Sequence, residues 1–284
     1  MQEERPSKYI NPYTDFGFKK LFGEEANKDL LVDFLNQLLP KHHKIAELQF
    51  DNTEALPGGG TERKAFFDIL CTSITGERFI VEMQKEKFKN FKNRALYYTT
   101  YPIKEQAMRG EWAFELSAIY FIAILDFFYD DDKEKAKLRR DVMLKDQDCD
   151  PFSDKLHFKF IQMPAFTKEE HELETQFDKW LYFLKKLPDF DDIPRILNEP
   201  IFQKAFKTAE RANMTPEERK AYEISEINYA EVRGVADTAK EEGKIEMIMA
   251  LNEDGHPAEY IAKIAQMPVE KVRQIIEKYK KKND

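Results

Sequence analysis

Two runs of strand-forming residues carry polar side chains where a covered strand should have none. Lys64-Ala-Phe-Phe-Asp-Ile-Leu-Cys-Thr-Ser-Ile74 holds Asp68, and Arg78-Phe-Ile-Val-Glu-Met-Gln84 holds Glu82 and Gln84. The short spacer Thr75-Gly76-Glu77 makes the two runs read as a β-hairpin. A carboxylate inside an apolar strand is costly to bury unless it is paired or holds a metal ion. Glu82 and Gln84 are two apart and so share a strand face. A three-residue loop at Thr75–Glu77 would set Asp68 opposite Gln84 and bring all three residues to that face. An Asp and a Glu converging with a backbone carbonyl form an all-oxygen site suited to Mg²⁺ or Mn²⁺. An ion there could polarise a phosphate and acidify a water. The spacing D-x13-E-x-Q equally allows Asp68 and Glu82 to pair with Lys64, Arg78 or Arg94.

The residues that follow extend the first reading. Lys85, Lys87, Lys89, Lys92 and Arg94 fall within ten positions, with Glu86 as the one acid and Phe88 and Phe91 among them. Beside a metal site such a stretch is a phosphate-contacting rim; by itself it is a solvated helix start. Lys85 should face away from Glu82 and Gln84 on a regular strand. Asp15 is a third acid that could reach the site from the first helix, or could serve as that helix's N-cap. His42, His43, His157, His171 and His256 form no zinc spacing. Gly58-Gly59-Gly60 lacks the Lys-Ser/Thr of a phosphate-cradling loop, and no Ser or Cys lies in a nucleophile motif.

The elements that must position these residues follow from periodicity. Residues 14–39 read as two helices, the second carrying Leu30, Leu31, Phe34, Leu35 and Leu38 until Pro40. Residues 45–56 are extended, and Pro57-Gly58-Gly59-Gly60 is a loop. A helix interrupted at Pro102 is expected from about Phe91 to Arg109, then a strand over Leu116–Leu125. The alternating Leu156–Ile161 is expected as an edge strand. After about Glu170 strand signals cease. Glu172–Lys186 is an amphipathic helix with Phe177, Trp180, Leu181 and Leu184 on one side. Thr215-Pro216-Glu217-Glu218 is a helix start, with proline at its first position. Three short helical pieces close the chain, broken near Gly255 and Pro268, with Ile261, Ile264, Val269, Val272 and Ile275 as their core. Helices around a sheet covered on both sides make this an α/β chain.

The 284 residues suffice for a sizeable core, and 42% hydrophobic with 35% charged residues describes a soluble globular protein. The net charge of −8 has the wrong sign for coating nucleic acid through the bulk field, though not for a local basic groove or a carboxylate-held metal acting on DNA. No stretch approaches the ~18 apolar residues of a membrane span. The start, Met1-Gln-Glu-Glu-Arg-Pro, has no apolar signal region, and Cys71 and Cys149 form no disulfide framework. A cytoplasmic location without membrane association is expected.

Several segments together resemble the PD-(D/E)XK nuclease superfamily, in its branch of recombination-promoting, transposase-associated nucleases. They are Asp15-Phe-Gly-Phe-Lys-Lys-Leu-Phe22, Phe67-Asp-Ile-Leu70 with Ile80-Val-Glu-Met-Gln84, Arg94-Ala-Leu-Tyr-Tyr98, the Ala118–Leu125 strand, Leu181-Tyr-Phe-Leu-Lys185 and Glu241-Glu-Gly-Lys-Ile-Glu246. The resemblance implies a restriction-endonuclease-like mixed sheet flanked by helices. It also implies a metal-dependent DNA endonuclease tied to recombination or mobile elements, using Mg²⁺, Mn²⁺ or Ca²⁺. Asp68 and Glu82 match the metal ligands. Gln84 stands where many members have Lys, and can orient a water but brings no charge. Lys87, Lys89, Lys92 and Arg94 would contact DNA. The expected division is a nuclease-like domain over 1–190, a helical linker over 191–242 and a helix-turn-helix-like module over 243–284. That module would bind DNA, or dock another protein or a second copy of the chain. A non-catalytic DNA-binding or scaffold protein on the same fold is the rival reading.

Overall fold

The central strands form because their apolar residues are covered from both sides. In a computed structural model of the chain, which describes residues 7–40, 43–55, 65–87, 89–107, 114–129 and 135–283, six strands make one mixed sheet. They are β1 (Leu48–Phe50), β4 (Ile69–Ser73), β5 (Arg78–Gln84), β6 (Ile119–Leu125), β7 (Arg139–Lys145) and β8 (Pro151–Gln162), in the order β1-β4-β5-β6-β8-β7. β5, β6 and β8 run parallel, and the remaining neighbours pair antiparallel. β2 (Glu54–Ala55) and β3 (Ala65–Phe66) form a separate two-stranded pair. The expected Gly58–Gly60 loop and Lys64 lie outside the described residues.

Alternation sorts the sheet into two cores. Phe79, Val81, Tyr120, Ile122 and Ile124 join a core with α1 (Asp15–Phe22), α2 (Lys28–Asn36), α4 (Gln176–Lys186) and α5 (Pro200–Ala209). Trp180 is its hub. Fully buried among Phe22, Phe34, Phe183 and Phe202, it donates its indole N–H to Asp33 Oδ1 at 2.5 Å. Ile80, Phe121, Ala123, Leu125, Phe158 and Phe160 face the other way and pack on α3 (Phe91–Glu105) through Phe91 and Ala95.

Five expectations are corrected by the structure. β8 is not an edge strand; β7 covers it, and β7 escapes pattern reading because Arg-Arg-Asp-Val-Met-Leu-Lys sits at the exposed border with no apolar alternation. α3 runs through Pro102 to Glu105 without interruption. In the hairpin, Ile69 pairs with Val81 and Thr72 with Arg78, which continues to Asp68 beside Glu82, not Gln84. The three-residue loop is Ile74-Thr75-Gly76, one position earlier than expected. Ser73 N–H donates to the Glu77 carbonyl at 2.8 Å, and Gly76 takes φ +96°, the left-handed step that closes such loops. Ile264, expected in the C-terminal core, is exposed.

Residues 191–242, expected as a linker, supply Phe202, Phe206, Ala209 and Tyr222 to the first core. By contact density the chain divides between Tyr229 and Ala230, inside α6 (Pro216–Glu253). α6 starts with a capping box: Thr215 Oγ1 accepts from Glu218 N–H, and Glu218 Oε2 accepts from Thr215 N–H. The second unit contains α7 (Ala258–Ala265) and α8 (Val269–Asn283) around Ile248, Ile261, Ala262, Ala265 and Val272. Gly255 at φ +83° and Gln266 at φ +53° make its turns.

Candidate active site

Asp68 and Glu82 meet where β5 emerges beside α3. The Asp68 N–H donates to Glu82 Oε1 at 3.3 Å, and Asp68 Oδ2 accepts from the Met83 N–H at 2.8 Å. Gln84, next along the same strand face, donates its amide to Glu82 Oε2 at 2.8 Å. Glu82 is 1% exposed, and Gln84 is also buried. From the first turns of α3, Arg94 brings its guanidinium to 3.7 Å from Glu82 Oε2. Of the basic partners that the spacing allows, Arg94 is therefore in place, whereas Arg78 pairs with Glu105.

The electrostatics are those of two acids short of positive charge. Burial first, then the neighbouring Asp68, push the Glu82 carboxyl up to about 8, against the pull of Arg94. Burial likewise holds Asp68 above its ordinary value, with Asp15 adding to the shift and the Met83 N–H, Lys19 and Arg94 opposing it. A largely desolvated pair with raised proton affinity is stabilised by a cation. Carboxylate and amide oxygens are the hard donors that Mg²⁺, Mn²⁺ or Ca²⁺ prefer, so the residues present fit such an ion. Among the described residues no group of three or more His, Cys, Asp or Glu gathers to hold one. Amide, backbone and water oxygens would complete the shell.

Asp15 and Lys85 approach from the other side of the sheet. Thr14, not Asp15, caps α1, accepting from Gly17 N–H at 3.0 Å. Asp15 is a first-turn acid paired with Lys19 at 2.9 Å. Lys85, just past β5, puts its ammonium 5.6 Å from the Tyr229 ring centroid. It lines a groove with Asp15, Lys19, Ser225 and Asn228. Burial holds the Lys85 ammonium below its usual value, while Asp15 and Asp68 raise it. Its side chain is thus on the α1 side, as alternation requires, but its charge acts on Asp68. The sequence signal for this was the position of Lys85 directly after Gln84, within reach of Asp68 although on the opposite face. Lys87 and Lys89 precede α3, and Lys92 sits in its first turn with its ammonium 4.6 Å from the Tyr129 centroid.

A mixed sheet with flanking helices and an acid from each of two adjacent central strands, Asp68 just before β4 and Glu82 within β5, is the plan of a PD-(D/E)XK nuclease. Residues 12–239 match the model of the PD-(D/E)XK nuclease family transposases, and the chain belongs to that family. No curated protein and no solved structure matches it significantly.

Proposed function

We propose that the protein is a metal-dependent DNA endonuclease serving recombination or a mobile element. The observation that carries this reading is the pair Asp68–Glu82, Glu82 buried and Asp68 half-buried, held face to face by the hairpin. Both would ligate a divalent ion, Mg²⁺ in the first instance. Such an ion supplies, when bound, positive charge on the phosphate and acidity on a water. Gln84, hydrogen-bonded to Glu82 Oε2, keeps its carbonyl oxygen as an acceptor and would orient the attacking water. Arg94 balances the acids before substrate arrives and is available to a phosphate oxygen afterwards. Lys87, Lys89 and Lys92 would hold the DNA backbone on the α3 side. The helices from Gly243 onward would form a helix-turn-helix-like module with α8 against DNA. No helix among the described residues is long and apolar enough to cross a membrane.

A second reading, a DNA-binding platform without catalysis, draws on Gln84, which supplies no charge to activate a nucleophile. One experiment separates the two: nicking of supercoiled plasmid with and without Mg²⁺, for the wild type and Asp68→Ala. The endonuclease reading expects Mg²⁺-dependent nicking that Asp68→Ala abolishes while DNA binding persists. Equal nicking by both proteins, or none by the wild type, removes it.

A further inference from the structure

A cavity of about 220 Å³ opens at the start of α3, in the same unit of the chain as the acid pair. Its walls divide by chemistry. Lys87, Lys89 and Lys92 supply cations, Phe127 and Tyr129 supply rings, and Asn90 and Asn93 supply carboxamides. The Asn90 and Asn93 side chains are exposed, so an amide donor and a carbonyl acceptor from each stand ready at the rim. The rings are fixed in advance. Tyr129 stacks on Phe160 with centroids 4.8 Å apart and planes 17° from parallel, and its N–H donates to the buried Gln162 Oε1 at 2.6 Å. Phe127 meets Phe91 edge-on at 5.8 Å. The rings themselves would need little ordering, while the Lys92 ammonium, 4.6 Å from the Tyr129 centroid, would swing aside to a phosphate as a base seats.

This combination selects a ligand. Cations serve phosphate, amides serve the polar edge of a base, and a ring wall serves a base's flat face. A paired duplex shows its grooves only base edges, because the faces are stacked on their neighbours. A ring-lined cavity gains from DNA only when a base leaves the stack. We propose that this cavity takes an unpaired or extruded nucleobase, so that the protein recognises DNA carrying an unpaired nucleotide next to the phosphate at Asp68 and Glu82. The inference rests on the endonuclease reading for the position of that phosphate. The link between the two sites is α3, in which Asn93 lines the cavity and the next residue, Arg94, reaches Glu82.

The test is binding of the full-length protein, by fluorescence anisotropy in EDTA, to three probes. These are a fully paired duplex, the same duplex with one unpaired 2-aminopurine, and that duplex with an abasic residue at the same position. Tighter binding of the 2-aminopurine probe than of the paired duplex is expected, roughly tenfold for one base on a ring wall. Its fluorescence should change on binding, and the abasic probe should lose the gain. Tyr129→Leu and the surface substitution Asn93→Ala should each bring the ratio towards one. Equal affinity for paired and unpaired probes overturns the cavity proposal and leaves the endonuclease reading standing. So does a preference kept by the abasic probe, or one unchanged in Asn93→Ala with the wild-type circular dichroism spectrum. Binding to none of the probes removes both.

Discussion

At the scale of single residues, the question is what Gln84 does in a site whose other members are acids. Its amide N–H₂ is committed to Glu82 Oε2, which fixes the rotamer and leaves the carbonyl oxygen as the group that can hold a water. Gln84→Ala removes both functions and should slow plasmid cleavage by roughly the 10²–10⁴ of one positioned catalytic group, with DNA binding kept. Gln84→Lys places an ammonium beside two acids, one buried and one half-buried, that are short of positive charge. It should retain or raise cleavage, provided the metal concentration is increased to offset repulsion between ammonium and ion. The measurement is single-turnover cleavage against metal concentration for the three proteins. Full activity in Gln84→Ala would mean that the side chain only packs. The residue types at this site were legible in the sequence, because Asp68 and Glu82 interrupt otherwise apolar strands. That Asp15 could reach the site from the first helix was legible too, but the influence of Lys85 on Asp68 was not, since it depends on how the chain leaves β5.

At the scale of elements, the hairpin shows what pattern alone leaves undetermined. The apolar runs identify two strands and their parity, but a three-residue loop can start at Ile74 or at Thr75, and each choice keeps the same faces buried. Ser73 and Gly76 decide, through the Ser73–Glu77 backbone pair and the left-handed φ. β7 was invisible for the opposite reason: an edge strand with three basic residues and an acid has no pattern to read. Gly76→Ala should therefore destabilise the first unit by about 1–2 kcal/mol, the cost of a left-handed L-residue, with the Ser117 Oγ only 3.1 Å from the new Cβ. The urea midpoint reads this. Gly234→Ala has the opposite sign: Gly234 lies inside α6 with nothing within 4 Å of a Cβ, and should gain about 0.5–1 kcal/mol of helix stability. Slower hydrogen exchange of nearby α6 amides would register it. α4 adds a pH test. Burial alone would raise the Asp178 carboxyl, but the Lys168 ammonium and the N–H groups of Thr175 and Glu174 hold it below its usual value. A depressed carboxyl stabilises the fold above its unfolded pKa, about 3.9, and loses that contribution as pH falls through the lower folded value. The stability difference between wild type and Asp178→Asn should be constant above pH ~5 and shrink at more acid pH, measured by urea titrations at each pH.

At the scale of the whole molecule, the larger core of the sheet and the C-terminal core are built from separate stretches of chain, and the second core of the sheet also lies before the C-terminal stretch. The larger takes its buried residues from Tyr9 to Tyr222, and the small C-terminal core takes its own from Ile248 to Val272, with Val269, Ile275 and Ile276 packed against it. Ending the chain before Gly243 removes the C-terminal set entirely and none of the others. It also spares Tyr229, whose hydroxyl donates to Asp126 at 3.2 Å and whose ring lies near Lys85. The shortened protein should thus unfold cooperatively near the wild-type urea midpoint and keep Mg²⁺-dependent nicking per bound DNA. Its affinity for DNA should fall, because Lys271, Arg273 and Lys278 of α8 leave with the module. The loss should be larger at low salt, with a shallower dependence of log affinity on log salt in proportion to the phosphate contacts removed. Unchanged affinity and slope would assign the module to protein docking or self-association, and a comparison of oligomeric state between the full and shortened chains would then distinguish those two. Failure of the shortened chain to fold would mean that the first core depends on the later helices, against the separation of their buried residues.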